Sequence, residues 1–189
     1  MKPAIISKFL DLIFGSASEP SVLPFRKIAP TLAFVQKEAV ALDFMKISTK
    51  GFDSFLFFIE GNFSLKSLSL MGNKLQYSSL ESLSKALALR QWPNISELNL
   101  SYNKMDLKSV NEVMIGVAAI KIKVLKLAGC LLKPNVAPAI SNLIATHPNL
   151  TSLDLSFNTL GGKKLFKFFV LNISYMTVCS VVHHYILFQ

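Results

Sequence analysis

Three stretches decide the fold: LKSLSLMGNKL (65–75), ISELNLSYNKM (95–105) and LTSLDLSFNTL (150–160). Each runs apolar residue, two others, leucine, one other, leucine, two others, asparagine, one other, and a closing apolar residue. A fourth stretch, IKVLKLAGCLL (122–132), keeps every apolar position and puts Cys130 where the others carry Asn73, Asn103 and Asn158. A weaker copy upstream aligns Ala39, Leu42, Phe44 and Ile47. Anchored on Leu42, Leu68, Leu98, Leu125 and Leu153, the copies are spaced 26, 30, 27 and 28 residues apart. Five near-periodic copies make this an internal repeat, and the fold is to be read as a stack.

The segments between the copies carry a second pattern. Counting from the asparagine column, apolar residues recur at Leu80, Leu83 and Leu87, then Val110, Val113 and Val117, then Ala137, Ile140 and Ile144. Leu165 and Phe168 continue it after Asn158. Offsets of three and four put such residues on one face of a helix. Each unit therefore reads as a short strand, a turn, a helix and a return loop, and the units as a right-handed α/β solenoid.

Each inward leucine contributes about 1.5–3 kcal/mol on burial, but a single unit cannot cover its own apolar face, so neighbours must stack. The asparagine column has a different task. Backbone groups lose their ladder partners where the chain leaves the strand, and a buried unpaired group costs about 1–3 kcal/mol. An amide both donates and accepts, so it can bridge adjacent turns. Cys130 can do so only weakly through its S–H, and Ile47 not at all, so the first unit is expected to be irregular.

These residues carry a family resemblance. The chain resembles the leucine-rich repeat family in its long, helix-containing, ribonuclease-inhibitor-like subtype, over about residues 39–171. The resemblance implies a horseshoe segment whose strands line a concave face that binds another protein. The outward strand positions are then Val40, Ala41 and Asp43; Lys66, Ser67 and Ser69; Ser96, Glu97 and Asn99; Lys123, Val124 and Lys126; Thr151, Ser152 and Asp154. Met71, Tyr102 and Phe157 follow at one rim. From these, Lys66, Ser69, Glu97, Asn99, Tyr102, Lys123, Lys126, Asp154 and Phe157 are the candidate docking residues, since aromatics anchor protein interfaces. The chain also looks like short repeat effectors that intracellular bacterial pathogens secrete into host cells.

A stack exposes apolar surface at both ends and needs caps. Residues 1–38 read as a helical N-terminal cap, with helices at 3–14 and 30–38, and residues 39–174 as about five repeats. Lys8 and Asp11 interrupt the apolar core that a signal peptide would need. Residues 168–189 hold no Asp, Glu, Lys or Arg, a length that could span a bilayer. Asn172, His183 and His184 within it argue instead for a degenerate terminal repeat or cap over 175–189.

Composition narrows the chemistry. The 189 residues are 51% hydrophobic and 16% charged, which excludes a disordered chain, and 20 basic against 11 acidic residues give a net charge of +9. The basic residues form no single stripe, so charge alone does not argue for nucleic acid. No phosphate loop, nucleophile elbow or zinc-protease string occurs, and no acid pair suggests tuned proton transfer. Some relatives activate small GTPases, yet Arg26 and Arg90 here sit in no such motif. Cys179, His183 and His184 are too few for a metal site. The expectation is a non-enzymatic protein-binding module, without cofactor or metal, in the reducing cytoplasm. Its alternatives are a membrane-tethered adaptor or a translocated effector.

Overall fold

The computed structural model describes residues 37–161. The expected helix at 3–14, nearly all of that at 30–38, the fifth-unit helix and the 168–189 stretch lie outside the described residues. Lys37 and Glu38, the last two residues of the expected 30–38 helix, are not helical. The Glu38 carbonyl already accepts from the Lys66 and Ser67 amides at 2.7 and 3.0 Å, so this segment has joined the sheet.

Five three-residue strands form one parallel sheet in sequence order: β1 Ala39–Ala41, β2 Ser67–Ser69, β3 Glu97–Asn99, β4 Val124–Lys126 and β5 Ser152–Asp154. Between them run α1 Thr49–Ile59, α2 Tyr77–Ala88, α3 Leu107–Ala118 and α4 Ala137–Thr146, the last entered through a 3-10 turn at Pro134–Val136. Strand neighbours are thus always the preceding and following units, which is a solenoid. Leu68, Leu98, Leu125 and Leu153 stand in register across the sheet and are at most 1% exposed. The helical residues Leu80, Leu83, Leu87, Val110, Val113, Val117, Ala137, Ile140 and Ile144 meet them in one continuous core.

The first unit corrects the sequence reading. Ala39 pairs with Ser67, Val40 with Leu68 and Ala41 with Ser69. The central strand residue is therefore Val40, not Leu42, and the first spacing is 28 residues, not 26. This two-residue shift moves every first-unit assignment. Leu42 takes the place of Leu70, Met45 that of Asn73, and Ile47 that of the closing Leu75. Val40 is half-buried against the core rather than outward, and Phe44 is 60% exposed rather than inward. The unit is also more regular than expected. Offsets of seven, ten and fourteen from Met45 fall on Phe52, Phe55 and Ile59, all at most 5% exposed.

Loops and helices close around these columns. Ser48 and Asp106 cap α1 and α3, their side chains accepting from the Gly51 and Ser109 amides. In the return loops Asn62 donates to the Lys37 carbonyl, the Trp92 indole to Ile59, and the buried His147 ring to Ile120 through Nε2. Each ties one unit to its predecessor and satisfies a buried carbonyl. Helix α3 approaches α2 so closely that a Cβ on Gly116 would lie 2.7 Å from the Ser84 Cα.

The corrected register has a direct test in two neighbouring phenylalanines. Phe55→Ala should cost about 3–5 kcal/mol in denaturant unfolding. Phe57→Ala, at a side chain 50% exposed, should cost less than about 1 kcal/mol. The reverse order would restore the 26-residue register.

Candidate functional site

The turn that follows each strand determines what the molecule can present. Asn73 and Asn103 are buried to within 1% of full exclusion from solvent. The Asn103 carboxamide oxygen accepts from the Asn73 and Leu75 amides of the preceding unit, both at 3.1 Å. Its nitrogen donates to the carbonyls of Leu70 at 3.0 Å, Leu100 at 2.9 Å and Ser101 at 3.3 Å. Asn73 repeats this towards Met45, Ile47, Leu42, Leu70 and Met71. Asn158 repeats it towards Leu132, Leu127, Leu155 and Ser156. Each amide thus fastens its own turn and the one before it.

Cys130 fills the gap only in part. Its thiol donates to the Leu100 carbonyl at 3.3 Å and to Ala128 at 3.6 Å. The acceptor role passes to the main chain: the Met105 amide, whose counterpart Leu75 uses an asparagine oxygen, bonds the Cys130 carbonyl at 3.0 Å. Burial pushes the thiol up to about 11 from 9.0, against a smaller downward pull from the Asn103 and Tyr102 backbone. A protonated, fully buried sulfur is a poor nucleophile. Among the described residues no cluster of three His, Cys, Asp or Glu side chains could hold a metal ion.

The strand face divides the candidate docking residues into two sets. Ser69, Asn99 and Asp154 are half-buried and engaged internally. Ser69 donates to Asp43 at 2.5 Å, Asn99 donates to Ser69 at 3.0 Å, and Asp154 accepts from the Ser156 amide and hydroxyl. Asp43, expected to point outward, also receives the Met71 amide. Lys66 reaches Glu38 of the first unit at 2.8 Å, an exposed pair. Glu97, Lys123 and Lys126 are exposed and make no ion pair among the described residues. Glu97 and Lys126 lie on adjacent strands, paired through Val124 and Asn99.

Tyr102 and Phe157 stand at the carboxyl ends of the strands, 47% and 58% exposed. The corrected register reveals a column that the sequence reading did not assemble: Phe44, Gly72, Tyr102, Gly129 and Phe157, one per unit, all with φ between 57° and 68°. The signal was present, since a 28-residue shift carries Phe44 into line with the other two aromatics. Two residues beyond it, Lys46, Lys74 and Lys104 form a parallel exposed column that was also missed.

Two outcomes check this account. Asn103→Ala should cost about 3 kcal/mol by denaturant unfolding, because at least two amides lose their acceptor; the half-buried Asn158 should cost less on the same change. In protein carrying Cys179→Ser, Cys130 should resist a disulfide reagent at pH 8 until the fold is opened. Because folding raises this thiol's pKa, its contribution to stability is present below pH 9.0 and is lost as pH rises towards about 11.

Known proteins offer two likenesses. A leucine-rich repeat profile matches residues 61–84 and 146–163. Among solved structures, leiomodin-1 actin-binding site 2 is similar with a TM-score of 0.61 at 14% identity, over 83% of this chain and 90% of that one. No curated protein matches the chain. The strand and asparagine columns, the profile matches at two separate units and the shared architecture agree: the chain carries leucine-rich repeats folded as an α/β solenoid.

Proposed function

We propose that the chain is a non-enzymatic interaction module that holds another protein against its strand face. The observation that carries this is the set Glu97 and Lys126 on adjacent strands with Lys123 just before the second, all exposed without ion-pair partners among the described residues. Parallel strands lie about 4.8 Å apart and packed helices about 8–10 Å apart, so the stack curves with its strands inside. A curved face of both charge signs suits a convex protein surface of complementary potential. The neighbour from leiomodin-1 bears an actin-binding designation, a precedent for docking on such a scaffold; at this identity it carries across the fold and no partner.

Catalysis has little to work with on this face. Two of its carboxylates, Asp43 and Asp154, are occupied as hydrogen-bond acceptors, and the buried thiol lies behind the turn. A cytoplasmic setting fits Cys130 as a free thiol.

The test is affinity capture with the wild-type chain beside Glu97→Ala/Lys123→Ala/Lys126→Ala, all exposed positions whose loss leaves the core intact. The principal captured protein should bind the variant about 30-fold more weakly, as removal of an interface hot spot does. Unchanged affinity for every captured protein would remove the strand face from consideration.

A further inference from the structure

We infer that the rim at the carboxyl ends of the strands is a second docking element, a ridge for an extended acidic peptide carrying apolar side chains. The inference keeps the reading of the chain as an interaction module but rests on the rim, with Tyr102 and Phe157 of the candidate docking residues, and not on Glu97, Lys123 or Lys126.

The ridge is built from the turn column. All five positions take the left-handed conformation, which suits glycine. Gly72 and Gly129 are what the backbone asks for. Phe44, Tyr102 and Phe157 are not, and a non-glycine residue held there costs of order 1–3 kcal/mol. Their large rings are also about half exposed, so burial repays little of that cost. The rings use the glycines as floor: a Cβ on Gly72 would overlap the Phe44 ring, and one on Gly129 would lie 2.7 Å from the Tyr102 ring. Phe44 and Tyr102 thereby come within 6.4 Å of each other, centroid to centroid, across the intervening unit. The support is rigid, since the Phe44 and Tyr102 amides bond the Met71 and Ala128 carbonyls at 2.7 Å.

Charge completes the surface. Lys46, Lys74 and Lys104 run alongside the rings, and the ion pairs among the described residues lie elsewhere, at Lys66–Glu38 and Lys85–Glu81. Two acids adjoining the column in sequence are committed: Asp43 to Ser69 and Met71, Asp106 to the α3 cap. Between Lys46 and Lys74 opens a depression of about 230 Å³, lined also by Ser48, Thr49, Gln76 and Ser79. It has room for one acidic side chain beside these two lysines.

Geometry favours a peptide over other polyanions. Alternate residues of an extended chain lie about 6.6 Å apart, close to the ring separation. Roughly six residues would cross five units at about 4.8 Å each. The rings are tilted 38° to one another, an arrangement for side chains to wedge between rather than a platform for parallel bases. The ridge is single file, too narrow to lie flat on a membrane.

A display library of random extended peptides panned against the full chain tests this. Selected peptides should alternate Asp or Glu with Leu, Ile or Phe, and their binding should weaken with added salt. Phe44→Gly/Tyr102→Gly, which removes the rings while keeping the backbone conformation, should weaken binding about tenfold or more, and so should Lys46→Glu/Lys74→Glu/Lys104→Glu. The strand-face triple variant should bind the selected peptides normally, so the two readings fail separately. Selection without acidic enrichment, or unchanged affinity in the ridge variants, would overturn the inference. So would tighter binding of oligouridylate or phosphatidylserine vesicles than of any selected peptide.

Discussion

Each unit of the stack must leave the sheet, and the main-chain groups stranded at that corner are the constraint on which the molecule depends. Three residues of strand give too few ladder bonds to hold a unit, and the corner is too deep for water. A carboxamide is the smallest side chain that can accept from one turn while donating to another. Asn103 makes five such bonds and is wholly buried. Its bonds reach both its own unit and the preceding one, so it couples the cohesion of a repeat to the cohesion of the stack. Cys130 shows how far the rule bends. Sulfur replaces the donor, a main-chain carbonyl replaces the acceptor, and the turn keeps its shape.

The same corner dictates the molecule's surface chemistry. To bring the asparagine inward, the residue just before it turns to positive φ in every described unit. Glycine is the comfortable occupant, yet three of five units hold an aromatic instead. The alternation is sterically consistent, because a ring needs a glycine beside it on the next unit and would collide with anything larger. Two aromatic turns in succession would leave no such floor. The placement of Phe44 and Tyr102 is thus governed by Gly72 and Gly129 as much as by their own side chains.

Most of the architecture was legible in the sequence because leucines at strand spacing and apolar residues at helical spacing answer to different periods, and both recur in step. The four later strands, and the helices of the second to fourth units, read correctly for that reason. The first did not, and the cause is specific. Val40 stands for the central leucine and Met45 for the asparagine, while Leu42 and Phe44 two places on imitate the leucine pair. Only pairing with β2 separates the two registers. The helix offered an internal check, since Phe52, Phe55 and Ile59 match the apolar face of the other units in one register alone. At the site, the exposure of Glu97, Lys123 and Lys126 was readable and the engagement of their neighbours was not. Nothing in the order of residues reveals that Ser69 and Asn99 are committed to a hydrogen-bonded chain with Asp43 while Lys126 is not.

The strand face and the rim differ in what they can contribute to recognition. The charged strand residues sit on long or flexible side chains in water, where a single pair contributes little and mostly guides approach. The Phe44 and Tyr102 rings on the turn column are already fixed, with their backbone hydrogen-bonded and one side packed on glycine, so binding against them loses little conformational entropy. A surface that combines pre-ordered apolar anchors with mobile charge beside them separates affinity from steering. In this protein both properties descend from one corner of the repeat, since the turn that holds Asn103 inward also holds Tyr102 outward.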